Sequence, residues 1–443
     1  MGVSHRRLAG ILAEKGAKVT VLDRREKDAL KDAYEELSGK GVAFRLGERY
    51  LENLTDFDFI LRTPGMKYHL PELEEARRKG VAVTSEMELF FDLCPAPVIA
   101  VTGSDGKTTT TSVIAEMLRA EGKTVHLGGN IGRALLPEIE KIRPEDFAVV
   151  ELSSFQLISM RKSPKVAVVT NVAPNHLDMH KDMQEYIDAK KNIFLHQNAF
   201  SRTVLNLDND ITAAFLEEVR GQAVFFSRKQ APENGAYLNA QGIICYNENG
   251  RTSEIMPQET IRIPGTHNVE NYLAAISAVW GYVSSETIIK VAREFGGVEH
   301  RIEFVRELDG VKYYNDSIAT SPTRTIAGLR SFRQKMIIIA GGYDKHIPFE
   351  PLVPVLLERV KVLVLTGDTA QKIEETIRKS PDYTPEALTI LHAETMEEAV
   401  QKARESAGGG DVVSLSPACA SFDRYPNFEA RGRHYKEIVN SLS

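Results

Sequence analysis

This 443-residue sequence predicts a three-domain α/β protein built on parallel sheets. Three observations carry that expectation. Short β-branched runs alternate with helical stretches, the pattern of parallel strands joined by crossover helices. Strand after strand ends in a loop of Gly, Asp, Asn or Ser instead of a tight hairpin. Breaks at Cys94-Pro95-Ala96-Pro97 and at Gly296-Gly297 divide the pattern into segments 1–95, 96–297 and 298–443.

The totals narrow the class. With 42% hydrophobic and 26% charged residues the chain has an ordinary globular composition. A net charge of −6 argues against bulk nucleic-acid binding while leaving room for local phosphate sites. Three scattered cysteines, Cys94, Cys245 and Cys419, have neither disulfide nor zinc spacing, as expected of a reducing compartment. No run of about 18 apolar residues and no apolar leader stand out. The expectation is a cytoplasmic protein with no membrane or nucleic-acid partner.

In chain order, Arg7–Glu14 reads as a helix stopped by Gly16, and Val19–Leu22 as a strand ending at Asp23. These are the helix and second strand of a Rossmann-like unit; its first strand is missing, with Gly2 and Ser4 as the tail of a glycine turn. Leu30–Leu37, Leu73–Lys79 and Glu86–Phe91 read as helices, and Val42–Phe44, Phe57–Leu61 and Val81–Val83 as strands.

The second segment opens on V-I-A-V-T-G-S-D-G-K-T-T-T, residues 98–110. A buried strand runs through Gly103, Ser104, Asp105 and Gly106 into a helix beginning Lys107, Thr108, Thr109. The two glycines let backbone N–H groups at a helix N-terminus approach a phosphate. Lys107 adds a point charge, and Thr108 a hydroxyl suited to Mg²⁺. The pattern is a short G-x-x-G-K-T-T version of the phosphate-binding loop, so a nucleoside triphosphate is expected here. Three more strand ends face the same crevice: Gly128–Gly132 with Asn130, Glu151 at the end of F-A-V-V-E, and His176 beyond Val166–Val169. Glu151 beside the loop reads as a metal carboxylate. Met183–Phe194 reads as a helix whose Lys190 and Lys191 fit a solvated face.

Further on, Val224–Phe226, Ala236–Leu238, Ile243–Tyr246 and Thr260–Ile263 read as antiparallel edge strands. G-T-H-N-V-E-N, 265–271, precedes a helix over Leu273–Val279 and fits a base- or ribose-binding turn and a plain N-cap equally well. In the third segment, strands at 311–314, 335–340, 362–365 and 412–415 end in N-D-S, G-G-Y-D-K, T-G-D and S-P-A-C-A-S. Lys345 and Arg431 lie near those ends and suit a small anionic co-substrate. A triphosphate site between two further α/β segments fits a ligase joining separate ligands, and does not by itself exclude a kinase.

G-S-D-G-K-T-T-T (103–110), E-L-S-S-F-Q-L (151–157), G-T-H-N-V-E-N (265–271), G-G-Y-D-K (341–345) and S-P-A-C-A-S-F-D (416–423) together resemble the Mur ligases. The resemblance implies a Rossmann-like N-terminal domain for a UDP-sugar, a central P-loop ATPase domain and a C-terminal Rossmann-like amino-acid domain. It implies ATP-dependent addition of D-glutamate to UDP-N-acetylmuramoyl-L-alanine through an acyl phosphate, by a protein acting as a monomer. It gives Lys107, Thr108 and Thr109 the phosphates, and Thr108 with Glu151 a first Mg²⁺. His176 goes to a second Mg²⁺, and Lys190 becomes a carbamylated lysine ligating metal, against its solvated-face reading. Asn271, Arg301 and Asp316 take the adenine nucleotide. Asn130 and His176 face the sugar substrate, while Thr320, Lys345, Ser421, Phe422 and Phe428 hold the amino acid. Ile318 departs from the family, where many members have Lys. The alternatives are a related Mur or folylpolyglutamate-type ligase for another amino acid, and a degenerate nucleotide-binding regulator.

Overall fold

The structure, a computed structural model, describes the backbone of residues 3–132, 134–174 and 180–443, and within those spans the side chains from His5 onward. The chain forms two compact units, Met1–Gln258 with Glu270–Val291, and Glu259–Val269 with Ala292–Ser443.

The first unit begins with two small parallel pairs. Thr20–Asp23 lies beside Ala43–Leu46 in register Thr20↔Ala43, and Phe59–Leu61 beside Ala82–Thr84 in register Phe59↔Ala82. Helices Val3–Glu14 and Lys27–Gly39 cover the first pair, burying Ala9, Val21, Leu37 and Val42 together. Pro71–Arg78 packs Leu73 and Ala76 beside the second. Ser85 accepts from Glu88 N and caps the helix Glu86–Leu93.

The remainder is a nine-stranded sheet. Val98–Thr102 is central, between Phe147–Glu151 and Val166–Val169, and all five of its residues are buried. Val125–Gly129 lies outside Phe147–Glu151; Arg202–Asn206, Gln222–Ser227 and Gly235–Leu238 extend the other side in parallel. Because consecutive strands depart to opposite sides of Val98–Thr102, its carboxyl end is the switch point where open α/β sheets receive ligands.

The expected antiparallel edge is present but shifted. Gln222–Ser227 and Gly235–Leu238 run parallel, and the antiparallel ladder is Gly235–Leu238, Ile243–Glu248 and Arg251–Pro257. Thr260–Ile263 is no strand. Arg251–Pro257 takes the edge instead, with four exposed residues in a row, so its sequence shows no apolar alternation. The helix expected from Leu273 begins earlier, at Thr266.

In the second unit six strands lie in the order Glu303–Leu308, Val311–Asn315, Val412–Leu415, Met336–Ala340, Val360–Leu365, Thr389–His392. All neighbours are parallel except the first hairpin. The central Met336–Ala340 is buried throughout and divides two apolar layers, one around Phe349 and Leu363, the other around Val413 and Tyr435. The carboxyl ends of the four central strands carry the Asn315–Ser317, Gly341–Gly342, Thr366–Gly367 and Ser416–Ser421 loops. Among the described residues no helix is long and apolar enough to cross a membrane.

Candidate active site

The loop after Val98–Thr102 has the expected phosphate-binding form. Gly106 caps the helix Lys107–Ala120 in the left-handed region, at φ 77°. Gly103 is required by space as well as by φ: a Cβ there would lie 1.9 Å from Thr170 Oγ1. Ser104 Oγ donates to Ala173 O at 2.8 Å and accepts from Ala173 N at 2.9 Å, while Asp105 N donates to Asn171 Oδ1 at 2.9 Å. The loop is thus held from the neighbouring strand end, leaving the N-terminus of the helix to be presented.

Lys107 Nζ donates to Gly103 O at 2.9 Å and Ser104 O at 2.8 Å, curling over the loop. Thr108 Oγ1 donates to Glu151 Oε2 at 2.7 Å, and Asn130 Nδ2 donates to Glu151 Oε1 at 2.7 Å. Three expected residues from three elements therefore meet on one carboxylate, which is 1% exposed. Thr109 is buried in the same first turn. Behind Glu151, Ser153 and Gln156 form a reciprocal capping box that fixes the short helix Ser154–Leu157, a physical reason for the S-S-F-Q spelling.

Lys190 departs from its solvated-face reading. It is 2% exposed, donates to Gly103 O at 2.8 Å, and sits 4.5 Å over the Tyr186 ring. Burial, then the nearby Lys107 charge, hold its pKa well below the usual lysine value. A buried lysine of this kind is held toward its neutral, nucleophilic amine. Asn271 Oδ1 accepts from Thr110 Oγ1 at 3.2 Å and lies against Gly106, so the 265–271 motif is the opening of a helix that touches the phosphate loop. His176 lies outside the described residues. His180 was not foreseen: it stacks on Phe155 and bonds Ser154 Oγ at 2.9 Å.

The second unit gathers the other expected residues at its strand ends. Lys345 Nζ donates to Thr320 O at 3.2 Å and Oγ1 at 3.4 Å. Ser421 is buried, and its Oγ has no hydrogen-bond partner among the described residues. Phe422 is 63% exposed, edge-on to Tyr343 with ring centres 5.9 Å apart. Phe428 opens the last helix, edge-on to His300, and its carbonyl accepts from Ser317 Oγ at 2.8 Å. Asp316 accepts from Ser416 Oγ at 3.1 Å and Ile302 N at 3.3 Å, and burial pushes its carboxyl up to about 7. Arg301 lies on the exposed turn before Glu303.

Arg431 is a correction. Its guanidinium does not face an anion site: Nε donates to Ser317 Oγ, Nη1 to Ala420 O, and Nη2 to Ser317 O and Cys419 O, all at 3.0–3.1 Å. It is buried and committed to stitching two strand-end loops to the last helix.

Among the described residues no group of three or more His, Cys, Asp or Glu is placed to hold a metal ion. The Thr108 hydroxyl and Glu151 carboxylate are nonetheless hard oxygen donors suited to Mg²⁺.

Comparison with known proteins accounts for the whole chain. Three family descriptions match in sequence order: the Mur ligase MurD-like N-terminal domain over residues 1–85, the Mur ligase middle domain over 101–279, and the Mur ligase glutamate ligase domain over 300–419. A protein of Acetivibrio thermocellus named UDP-N-acetylmuramoylalanine--D-glutamate ligase is 54% identical, covering 100% of this chain and 95% of its own length. One of Clostridium acetobutylicum with the same name is 51% identical with the same coverage. Among solved structures, a UDP-N-acetylmuramate-alanine ligase of Thermotoga maritima superimposes with a TM-score of 0.59 at 19% identity, covering 99% of this chain and 97% of the other, which supports the fold. The chain belongs to the Mur ligase family, on the branch of the UDP-N-acetylmuramoylalanine--D-glutamate ligases.

Proposed function

We infer that this chain joins D-glutamate to UDP-N-acetylmuramoyl-L-alanine with hydrolysis of ATP, as its relatives' names describe, in the building of peptidoglycan precursor. The observation that carries the reading at the site is the convergence on one loop of Lys107, Thr108, Glu151, Asn130 and Lys190. The γ-phosphoryl group of ATP passes to the alanine carboxylate, giving an acyl phosphate and ADP. The D-glutamate amine then attacks the carbonyl carbon, the C–O bond to phosphate breaks, and the amine gives up a proton as the amide forms.

Such a transfer needs positioning and charge neutralisation above all. The N–H groups opening Lys107–Ala120 and the Lys107 ammonium face the β and γ phosphates, with Ser104, Asp105 and Thr109 completing the loop. Thr108 and Glu151 would hold one Mg²⁺, and His176 with Lys190 a second, and bound Mg²⁺ would supply charge neutralisation on the phosphoryl oxygens. Addition of CO₂ to the buried Lys190 amine gives a carbamate, an oxygen donor where an ammonium could not ligate. Asn271, Arg301 and Asp316 take the adenine nucleotide and Asn130 the sugar substrate. Lys345, Thr320, Ser421, Phe422 and Phe428 take D-glutamate, the unpaired Ser421 hydroxyl supporting that assignment. Segments 1–95, 96–297 and 298–443 carry the sugar nucleotide, ATP and amino acid in turn, in a cytoplasmic monomer with no nucleic-acid partner.

The test is ATP-dependent phosphate release with UDP-N-acetylmuramoyl-L-alanine, comparing D-glutamate with L-glutamate, L-lysine and diaminopimelate. Release with D-glutamate alone is expected; release with another amino acid alone would reassign the substrate.

A further inference from the structure

Arg62 directly follows the strand Phe59–Leu61 and begins the loop Thr63-Pro64-Gly65-Met66. Its side chain is 2% exposed, and among the described residues no carboxylate forms an ion pair with it. A buried guanidinium without an acid must be satisfied by dipoles. Nη1 donates to Thr63 O at 3.2 Å and Met66 O at 2.6 Å; Nη2 donates to Phe155 O at 2.6 Å. Two of these carbonyls belong to the loop at the carboxyl end of a small parallel pair. The third lies in Ser154–Leu157, the turn locked by the Ser153–Gln156 capping box just beyond Glu151.

The far end of the same loop is fastened too. His69 Nδ1 meets Glu74 Oε1 at 3.1 Å, and its Nε2 meets Glu185 Oε1 at 2.8 Å. Glu185 belongs to Met183–Lys191, the helix that carries Lys190. Arg77 donates both Nη groups to Tyr68 O at 3.1 Å. Between the two fastenings a cavity of about 170 Å³ is lined by Arg62, Met66, Tyr68, Phe155, His180 and Glu185. The loop is therefore fastened on two sides, to its own helix Pro71–Arg78 through Glu74 and Arg77 and to the segments that bear Glu151 and Lys190 through Phe155 and Glu185.

We propose that Arg62 is a positioning residue, which sets the Thr63–Met66 loop against the Glu151 segment and thereby fixes the geometry of sugar-nucleotide binding. This rests on the ligase reading, in which residues 1–95 bind the UDP-sugar at their strand carboxyl ends. A planar fork with separated donors serves three carbonyls in two segments; a lysine ammonium, a single point of charge, does not reach them all. A purely structural arginine would lower stability and leave the loop's ligand untouched.

Arg62→Met and Arg62→Lys are compared with Leu73→Ala, a cavity variant in the adjoining apolar cluster. Expected for Arg62→Met is a KM for UDP-N-acetylmuramoyl-L-alanine raised about tenfold or more, with the KM for ATP and D-glutamate within about twofold of wild type. Arg62→Lys should fall between the two. Leu73→Ala should lower the melting temperature without moving the sugar-nucleotide KM. Hydrogen exchange, which needs no turnover, is the second readout: the amides of Gly65, Met66 and Phe155 should exchange faster in Arg62→Met than in Leu73→Ala. Unchanged exchange at those amides, or a rise of all three KM values together, overturns the proposal. A wild-type protein without D-glutamate-dependent turnover would overturn the ligase reading instead, and the exchange comparison would still decide the role of Arg62 in holding the loop.

Discussion

Gly106→Ala tests the phosphate loop most directly. Alanine at the observed φ of 77° costs about 1–2 kcal/mol. The added Cβ would stand 2.3 Å from Asn271 Oδ1, so the Asn271 amide must swing away and give up its bond from Thr110 Oγ1. That loss adds about 0.5–1.5 kcal/mol. Together the change is about 1.5–3.5 kcal/mol, a fall in melting temperature of about 3–14 °C for a unit of this size. Scanning calorimetry without nucleotide reads it. The clash predicts a coupling: in the double variant with Asn271→Ala the penalty should be smaller than the sum of the singles by about 1 kcal/mol. The loop's N–H groups are displaced as well, so the KM for ATP should rise about tenfold. A Gly106→Ala protein with wild-type melting temperature and ATP affinity, or strictly additive singles, would refute the reasoning.

Four other outcomes follow from the same geometry. Lys107→Ala should abolish ATP-dependent phosphate release, and retained turnover would remove this loop from the site. Lys190→Ala should lose activity that bicarbonate or a short carboxylate partly restores; absence of rescue would leave the buried amine without a carbamate role. Thr108→Val, nearly isosteric, should raise the Mg²⁺ concentration needed for half-maximal rate by about tenfold, and an unchanged Mg²⁺ titration would separate Thr108 from the metal. Burial raises the folded pKa of Asp316 from 3.8 to about 7, so the folded state holds the proton that the unfolded chain releases first. Its contribution is present below pH 3.8 and is lost as pH rises toward 7. Asp316→Asn should therefore flatten the decline of melting temperature across that interval, and a parallel pH profile would contradict it.

Much of this architecture is legible in the chain because parallel strands buried on both faces must be apolar runs, and the loops beyond them must turn sharply. V-I-A-V-T followed by G-S-D-G-K, and F-A-V-V-E followed by L-S-S-F-Q, announce both the strands and the end at which a ligand lies. What was hidden depends on tertiary neighbours. Lys190 and Lys191 are adjacent letters, yet the fold buries the first beside Lys107, and only resemblance to the family singled it out. Arg431 looks in sequence like a contact for an anion, because no local signal tells that two strand-end loops will enclose it. Arg62 sits in L-R-T-P-G with no periodicity to mark it as interior. Arg251–Pro257 spells a polar stretch because an edge strand need bury little.

The second compact unit is not continuous in sequence: Glu259–Val269 belongs to it, while Glu270–Val291 returns to the first. A ribosome releases Glu259–Val269 before Ala292–Ser443, the rest of the second unit, has been made. Arg262, stacked over Phe304, and Ile263, against Gly297, must wait for residues that come later. Once Val291 has been made, Arg262 and Ile263 are thus left without these contacts while the first unit already has the residues for its core. Slowing translation just after Val291 should lengthen that exposure, and a chain cut between Val269 and Ala292 would leave the second unit without its earliest piece.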